Sequence, residues 1–289
     1  MNLFEPIAIG ALTLPSRIVM APLTRRRAGT GKIPTGLNAQ YYAQRASAGL
    51  IVSESTDIDP LSAGTPPTRP GLFNPEQAQG WRAVTRAVHA AGGRIFVQLS
   101  HLGRQSHPTM RLDGSLPVGP SAITPRGTVF TPTGPQPYRM PRALATEEVP
   151  SVVQQFADAA RLARDAEFDG VEIHSANGYL LDSFLRDGSN QRGDAYGGTV
   201  ENRARLLLEV TEAVVGVWEA GRVAVRLSPW NSFGDMHDSD PTATFGFAAR
   251  ALSAFGLAYL HVIEPIGASA HAAGAASAYP LLPRLRRLF

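Results

Sequence analysis

Six times along this chain a short apolar run gives way to a longer stretch. The β-like runs are Arg17–Leu23, Leu50–Ser55, Arg94–Ser100, Gly170–Ser175, Val223–Ser228 and Tyr259–Glu264. Helical patterns lie between most of them. Pro75–Ala91 places Trp81, Val84 and Val88 at helical spacing and is closed by Gly92-Gly93. Val152–Ala166 starts from a Pro150-Ser151 cap, Thr199–Trp218 carries Leu206, Leu207, Val210 and Val214 on one face, and Pro241–Phe255 ends at Gly256. These are the residue types that start and stop helices. Repeated strand–helix units imply an α/β fold around a parallel sheet. A (β/α)8 TIM barrel needs eight such units, whereas a doubly wound sheet accommodates six, so the pattern alone leaves both open. No Gly-x-Gly-x-x-Gly follows the first run, which weakens a dinucleotide-binding Rossmann reading.

Composition narrows the class. The 289 residues suffice for one large α/β domain or two small ones, and 44% hydrophobic with 18% charged residues describes an ordinary globular chain. The 27 basic residues are scattered among 24 acidic ones, so nucleic acid is not an expected partner despite the local Arg25-Arg26-Arg27 run. The lack of cysteine excludes disulfides, thiolate-held zinc, iron–sulfur clusters and a thiol nucleophile. No metal site is expected. Met1–Pro6 lacks a basic leader and Pro15 ends the apolar stretch that follows, so a signal peptide is not expected. With no run apolar enough to span a membrane, a cytoplasmic location is expected.

Two stretches interrupt the alternation. Residues 102–148 contain eight prolines and little helical pattern, and leave the end of the third strand as a candidate lid or insertion. Residues 266–289 contain no Asp or Glu, are rich in Ala, and show no convincing strand–helix unit.

The chemistry concentrates where the fourth run ends. His174, Asn177 and Tyr179 surround the break at Gly178. In a barrel, that end of the strand builds the active site. Imidazole, amide and phenol groups can hold an oxygen and deliver a proton, and are poorly suited to nucleophilic attack. Arg226 sits inside the apolar run Val223–Ser228, where a guanidinium needs either a salt-bridge partner or an anionic or carbonyl-bearing ligand. Gln98, inside Ile95–Leu99, is either a satisfied core amide or the partner of an imide-like edge. Thr24 follows the first strand, where a Thr is ordinarily a turn residue.

These residues lie in longer matches. Arg17-Ile18-Val19-Met20-Ala21-Pro22-Leu23-Thr24-Arg25, Phe96-Val97-Gln98-Leu99, the segment from His174 to Leu185, and the run from Arg192 to Arg203 resemble the old yellow enzyme family. So do Asp235–Pro241 and Leu257–Pro265. The family comprises FMN-dependent ene-reductases such as N-ethylmaleimide reductase. The resemblance implies a TIM barrel over residues 1–265, with FMN at the C-terminal mouth. It implies that Pro22, Leu23, Thr24 and Ser55 line the flavin, Gln98 pairs with its pyrimidine part, and Arg226 stands at N1 and the C2 carbonyl. His174 and Asn177 would hold the substrate's carbonyl or nitro oxygen, with Tyr179 as proton donor. NADPH or NADH would supply hydride through the flavin to an activated alkene. Relatives often carry Ala or Gly where Ser55 stands and Trp where Ser100 stands. About six βα units are legible, so strands seven and eight are expected to be missing or replaced, and an FMN-deficient, non-catalytic remnant is the alternative. A monomer or homodimer is expected.

Overall fold

The computed structural model describes residues 2–62, 68–264 and 281–289. At its centre is a parallel sheet of six strands: β3 (Val19–Met20), β4 (Leu50–Asp57), β5 (Ile95–Ser100), β10 (Gly170–Ser175), β11 (Val223–Leu227) and β12 (Tyr259–Val262). The spatial order is β12-β11-β10-β5-β4-β3. Each successive strand is added on the same side. A doubly wound sheet reverses direction at a switch point, and this one does not.

The sheet is rolled. Flat, β5 and β12 would lie roughly 14 Å apart across three strand spacings. Yet the rings of Phe96 and Tyr259 stack at 6.0 Å, and Tyr259 Oη reaches the Glu172 carboxylate at 3.1 Å. The two edge strands face one apolar cavity of about 360 Å³, lined by Val19 and Ala21 on one side and Leu260 and Val262 on the other. A hairpin, β1 (Ile7–Ile9) and β2 (Leu12–Leu14), adds Ile7, Ile9 and Leu14 to that cavity. Its turn packs on the chain before β11: Ala11 N–H donates to the Gly221 carbonyl at 3.0 Å. A Cβ on Gly10 would lie 2.2 Å from that same oxygen, so only glycine allows the approach.

Helices return the chain between strands: α1 (Gly36–Ala43), α2 (Pro75–Ala90), α3 (Val149–Asp165), α4 (Leu180–Leu185), α5 (Val200–Val215) and α6 (Pro241–Ser253). Pro150 lies in the first turn of α3 and is not a cap before it; a missing N–H costs nothing there. β3 is two residues long, much shorter than Arg17–Leu23, because it is an edge with Ile18 and Val19 exposed. β4 runs on to Asp57 and is buried throughout.

The 102–148 stretch contains more order than its prolines suggest. Strands β6 (Val118–Gly119) and β9 (Arg142–Ala143) pair, and β7 (Thr128–Thr131) and β8 (Gly134–Pro137) form a hairpin. At the other end of the chain, Leu281–Leu288 forms α7. It lies within the 266–289 tail, in which the sequence shows no convincing strand–helix unit; residues 266–280 lie outside the described residues. Leu281 and Leu285, one turn apart, are buried, and Leu288 comes within reach of Gly246 on α6. Among the described residues the central parallel sheet has no seventh strand. No described helix is long and apolar enough to cross a membrane.

Candidate active site

Side chains point to opposite faces of a strand in alternation, so the register defines layers inside the roll. Gln98, Glu172, Ala224 and Tyr259 are aligned across four strands. One step nearer the C-terminal mouth, His174, Arg226 and His261 are aligned across three.

The lower layer is a satisfied polar cluster. The fully buried Glu172 carboxylate accepts from Gln98 Nε2 at 2.7 Å and Tyr259 Oη at 3.1 Å, and pairs with His261 Nδ1 at 3.0 Å. Burial alone would raise its pKa, but His261, Arg226 and Gln98 carry it below the usual carboxylate range. Gln98 is therefore tied down on its amide nitrogen side. Its carbonyl oxygen accepts from no described residue.

Arg226 is different. Burial lowers its pKa and Glu172 partly restores it, yet the buried Nε has no hydrogen-bond partner. Leaving a charged donor unsatisfied in the interior costs more than an ordinary hydrogen bond contributes. An acceptor at the mouth of the roll would relieve this.

The loop after β10 delivers the remaining groups. Asn177 and Gly178 both adopt positive φ, +59° and +74°. A Cβ at Gly178 would meet Met236 Cγ at 2.7 Å, so glycine is needed for space as well as conformation. Gly178 N–H donates to Asp182 Oδ2 at 2.8 Å, and Asp182 is held by Arg186 Nε at 2.8 Å. This buried pair clamps the turn from within α4. Asn177 N–H donates to Ser228 Oγ at 2.8 Å, and its Oδ1 accepts from Asn231 Nδ2 at 2.5 Å. Its own Nδ2 is bonded to no described residue and remains a donor.

His174 is 2% exposed, and its Nδ1 accepts the Ala176 N–H at 3.2 Å. An accepting Nδ1 leaves the proton on Nε2. Burial, then Arg226, Arg69 and His261, push its pKa well below the ordinary histidine value, so it is a neutral donor. The Tyr179 ring stands 4.7 Å from the His174 ring at 55°. Tyr179 and Thr24 line the same cavity of about 300 Å³.

Residues of the 102–148 stretch form the cavity's outer wall, among them Leu102, Gln105, Met110, Phe130 and Tyr138. Tyr138 Oη donates to Gln105 Oε1 at 2.6 Å. Pro22 is half-buried, while Leu23 and Thr24 are exposed on the segment following β3. Ser55 Oγ accepts from Arg69 Nη2 at 2.5 Å, which leaves the hydroxyl proton as a donor. Arg69, Asn231 and Tyr138 were not apparent from sequence. None sits in a periodic run, and their partners lie 14 to 54 residues away. Among the described residues, no cluster of His, Asp and Glu is arranged to hold a metal ion.

A rolled parallel sheet thus carries donors, a phenol and an unsatisfied guanidinium nitrogen at its C-terminal mouth, where barrels of this kind build their active sites. Comparison with known proteins agrees. Residues 2–277 match the NADH:flavin oxidoreductase / NADH oxidase family, and the chain belongs to that family. It is 44% identical over 277 residues to the flavin oxidoreductase hxnT of Emericella nidulans, covering 91% of this chain and 69% of that one. It is 43% identical over 267 residues to a probable flavin mononucleotide-dependent alkene reductase of Leishmania infantum, covering 91% and 73%. The old yellow enzyme homologue of Zymomonas mobilis superposes with a TM-score of 0.93 at 44% identity, over 100% of this chain and 80% of that one. The protein is thus an FMN-dependent, NAD(P)H-using enzyme with the TIM-barrel fold of old yellow enzymes.

The residues present fit the ring of FMN. Arg226 offers a buried Nε–H with no hydrogen-bond partner. Gln98, held on one side by Glu172, keeps an acceptor for an imide N–H.

Proposed function

We propose that this enzyme reduces activated alkenes, α,β-unsaturated carbonyl or nitro compounds, at the expense of NADPH or NADH. The observation that carries the reading is the neutral, Nε2-protonated His174 beside the free amide donor of Asn177 and the phenol of Tyr179. FMN, when bound, supplies hydride transfer from the nicotinamide to the alkene. Gln98 and Arg226 hold its ring, and Pro22, Leu23, Thr24 and Ser55 line the side of the cavity formed by β3 and β4. His174 Nε2–H and Asn177 Nδ2–H donate to the substrate's carbonyl or nitro oxygen and stabilise the negative charge that gathers there. Because both are fixed through their other polar atom, they need no rearrangement as that charge develops. Tyr179 then protonates the α-carbon as a general acid. The 102–148 stretch acts as a lid that limits water at the reacting carbons.

The test is NADPH oxidation with cyclohexenone, with and without added FMN. Consumption that requires both the alkene and FMN supports the reading. Consumption that is indifferent to the alkene refutes it.

A second reading is that FMN is held weakly and the chain is a non-catalytic remnant. Its support is that β3 and β12 each have one strand partner among the described residues, which supply six of a barrel's eight strands. Loops after strands seven and eight commonly hold the phosphate in such barrels. Gel filtration with absorbance at the flavin band separates the two readings: a stoichiometric yellow complex rules out the second. We propose a monomer or homodimer with no nucleic-acid partner.

A further inference from the structure

Among the described residues, the cavity in front of Tyr179 is lined by two guanidinium groups, Arg26 and Arg69, and by no carboxylate. Arg69 is the deeper, 3% exposed. Its Nη2 donates to Ser55 Oγ at 2.5 Å and Ser100 Oγ at 3.0 Å, which fixes the plane of the group. Its Nε lies 2.9 Å from Asp57 Oδ1, at ion-pair distance but without hydrogen-bond alignment. Its guanidinium carbon is 5.8 Å from the centre of the Tyr179 ring. The two small hydroxyls of Ser55 and Ser100 provide the acceptors for this arrangement.

Asp57 is completely buried and is shared. Lys32 Nζ also contacts it, at 2.9 Å. Two buried cations therefore share that carboxylate. Glu54, also buried, lies within electrostatic reach of Arg69 but is engaged by the Arg25 and Arg26 N–H groups, Asn38 and Tyr42, and makes no hydrogen bond to the guanidinium. Among the described residues, nothing accepts from Arg69 Nη1. A buried guanidinium with a spare donor facing a cavity is costly unless an acceptor completes it, and an anionic acceptor completes it best.

We propose that Arg69 is a specificity-determining residue that selects activated alkenes carrying a second, anionic group, a carboxylate foremost. His174 and Asn177 take the activating carbonyl oxygen, and Arg69 takes the carboxylate at the other side of Tyr179. The inference rests on the ene-reductase reading above.

The experiment compares acetylacrylate, an alkene with a ketone at one end and a carboxylate at the other, with its uncharged methyl ester. Each is titrated by calorimetry into the full chain loaded with oxidised FMN, without nicotinamide, and each is then assayed for turnover. The acid is expected to bind roughly ten- to a hundredfold more tightly than the ester, the range for a hydrogen bond to a charged group. R69Q leaves the Lys32–Asp57 pair balanced and is expected to abolish the difference between acid and ester. R69K, which keeps the charge but not the fork, is expected to retain part of it. Equal binding of acid and ester by the unaltered enzyme, or an acid preference that persists in R69Q, overturns the role of Arg69 while leaving ester turnover intact. Failure to bind or reduce either compound with FMN bound overturns the ene-reductase reading, and this inference with it.

Discussion

His174 Nδ1 accepts the backbone N–H of Ala176, two residues on, at 3.2 Å. That one contact fixes the tautomer. Together with burial and the positive charge of Arg226 and Arg69, it makes the imidazole a neutral donor. The rate of alkene reduction is therefore expected to show no ionisation of His174 between about pH 5 and about pH 8. His174→Ala is expected to slow alkene reduction by roughly a hundredfold or more, the usual cost of an oxyanion donor. A rate step near the ordinary histidine pKa that vanishes in the variant contradicts the assignment. Stopped-flow rates across pH supply the measurement.

Tyr179 is assigned to proton delivery alone, so its removal should divide the reaction in two. In Tyr179→Phe, flavin reduction by NADPH is expected to continue near its normal rate, while reoxidation by cyclohexenone falls by about 10²- to 10⁴-fold. Full-rate alkene reduction by the variant removes Tyr179 from that role. Equal losses in both halves point instead to collapse of the cavity wall.

Arg226 should be read through the flavin. A buried cation with an unsatisfied Nε favours the more negative, reduced state of a ring placed against it. Arg226→Met is expected to lower the two-electron midpoint potential by about 30 mV or more, equivalent to a tenfold change in relative affinity for the two redox states. Spectroelectrochemical titration reads this directly. An unchanged potential places the ring elsewhere.

Acid should destabilise the fold before its carboxylates titrate. His101 is pushed down to about 3, chiefly by burial, with its Nδ1 accepting the Gly103 N–H at 3.0 Å. Its folded pKa lies below its unfolded one, so the unfolded chain binds more protons between them. The stability it contributes is whole above about pH 6.5 and is lost as pH falls toward about pH 3, at up to about 1.4 kcal/mol per pH unit. His174 acts in the same direction. Glu54, raised by burial, acts the other way, its contribution being lost as pH rises from the ordinary Glu value. Urea unfolding midpoints at neutral and mildly acidic pH are the check. His101→Gln, although less stable overall, should flatten the dependence; an equally steep slope in the variant contradicts it.

The strands were legible because most are buried along their whole length and so appear as continuous apolar runs. β3 was overestimated because Ile18 and Val19 are apolar although both are exposed at an edge of the sheet. His174, Asn177 and Tyr179 stood out because Gly178 breaks an apolar run at a strand end, and the structure puts the His174 and Tyr179 rings 4.7 Å apart. Gln98 and Arg226 stood out as polar residues inside apolar strands. Sequence gave no sign that Glu172 would link Gln98, Tyr259 and His261, since that depends on the curl of the sheet. Arg69 had no signature at all. It follows a proline-rich stretch, and its partners Asp57, Ser55 and Ser100 come from two different strands. α7 was missed because it is short and interrupted by Pro283 and three arginines, although Leu281, Leu285 and Leu288 repeat at helical spacing.

The account stands or falls on one single-turnover experiment. The full chain, incubated with FMN and freed of excess by gel filtration, is bleached anaerobically with one equivalent of NADPH and then mixed with cyclohexenone. The account predicts a flavin band that bleaches and returns, with saturated ketone formed in equal amount. A chain that emerges without flavin, or one whose bleached flavin stays bleached in the presence of the alkene, contradicts it.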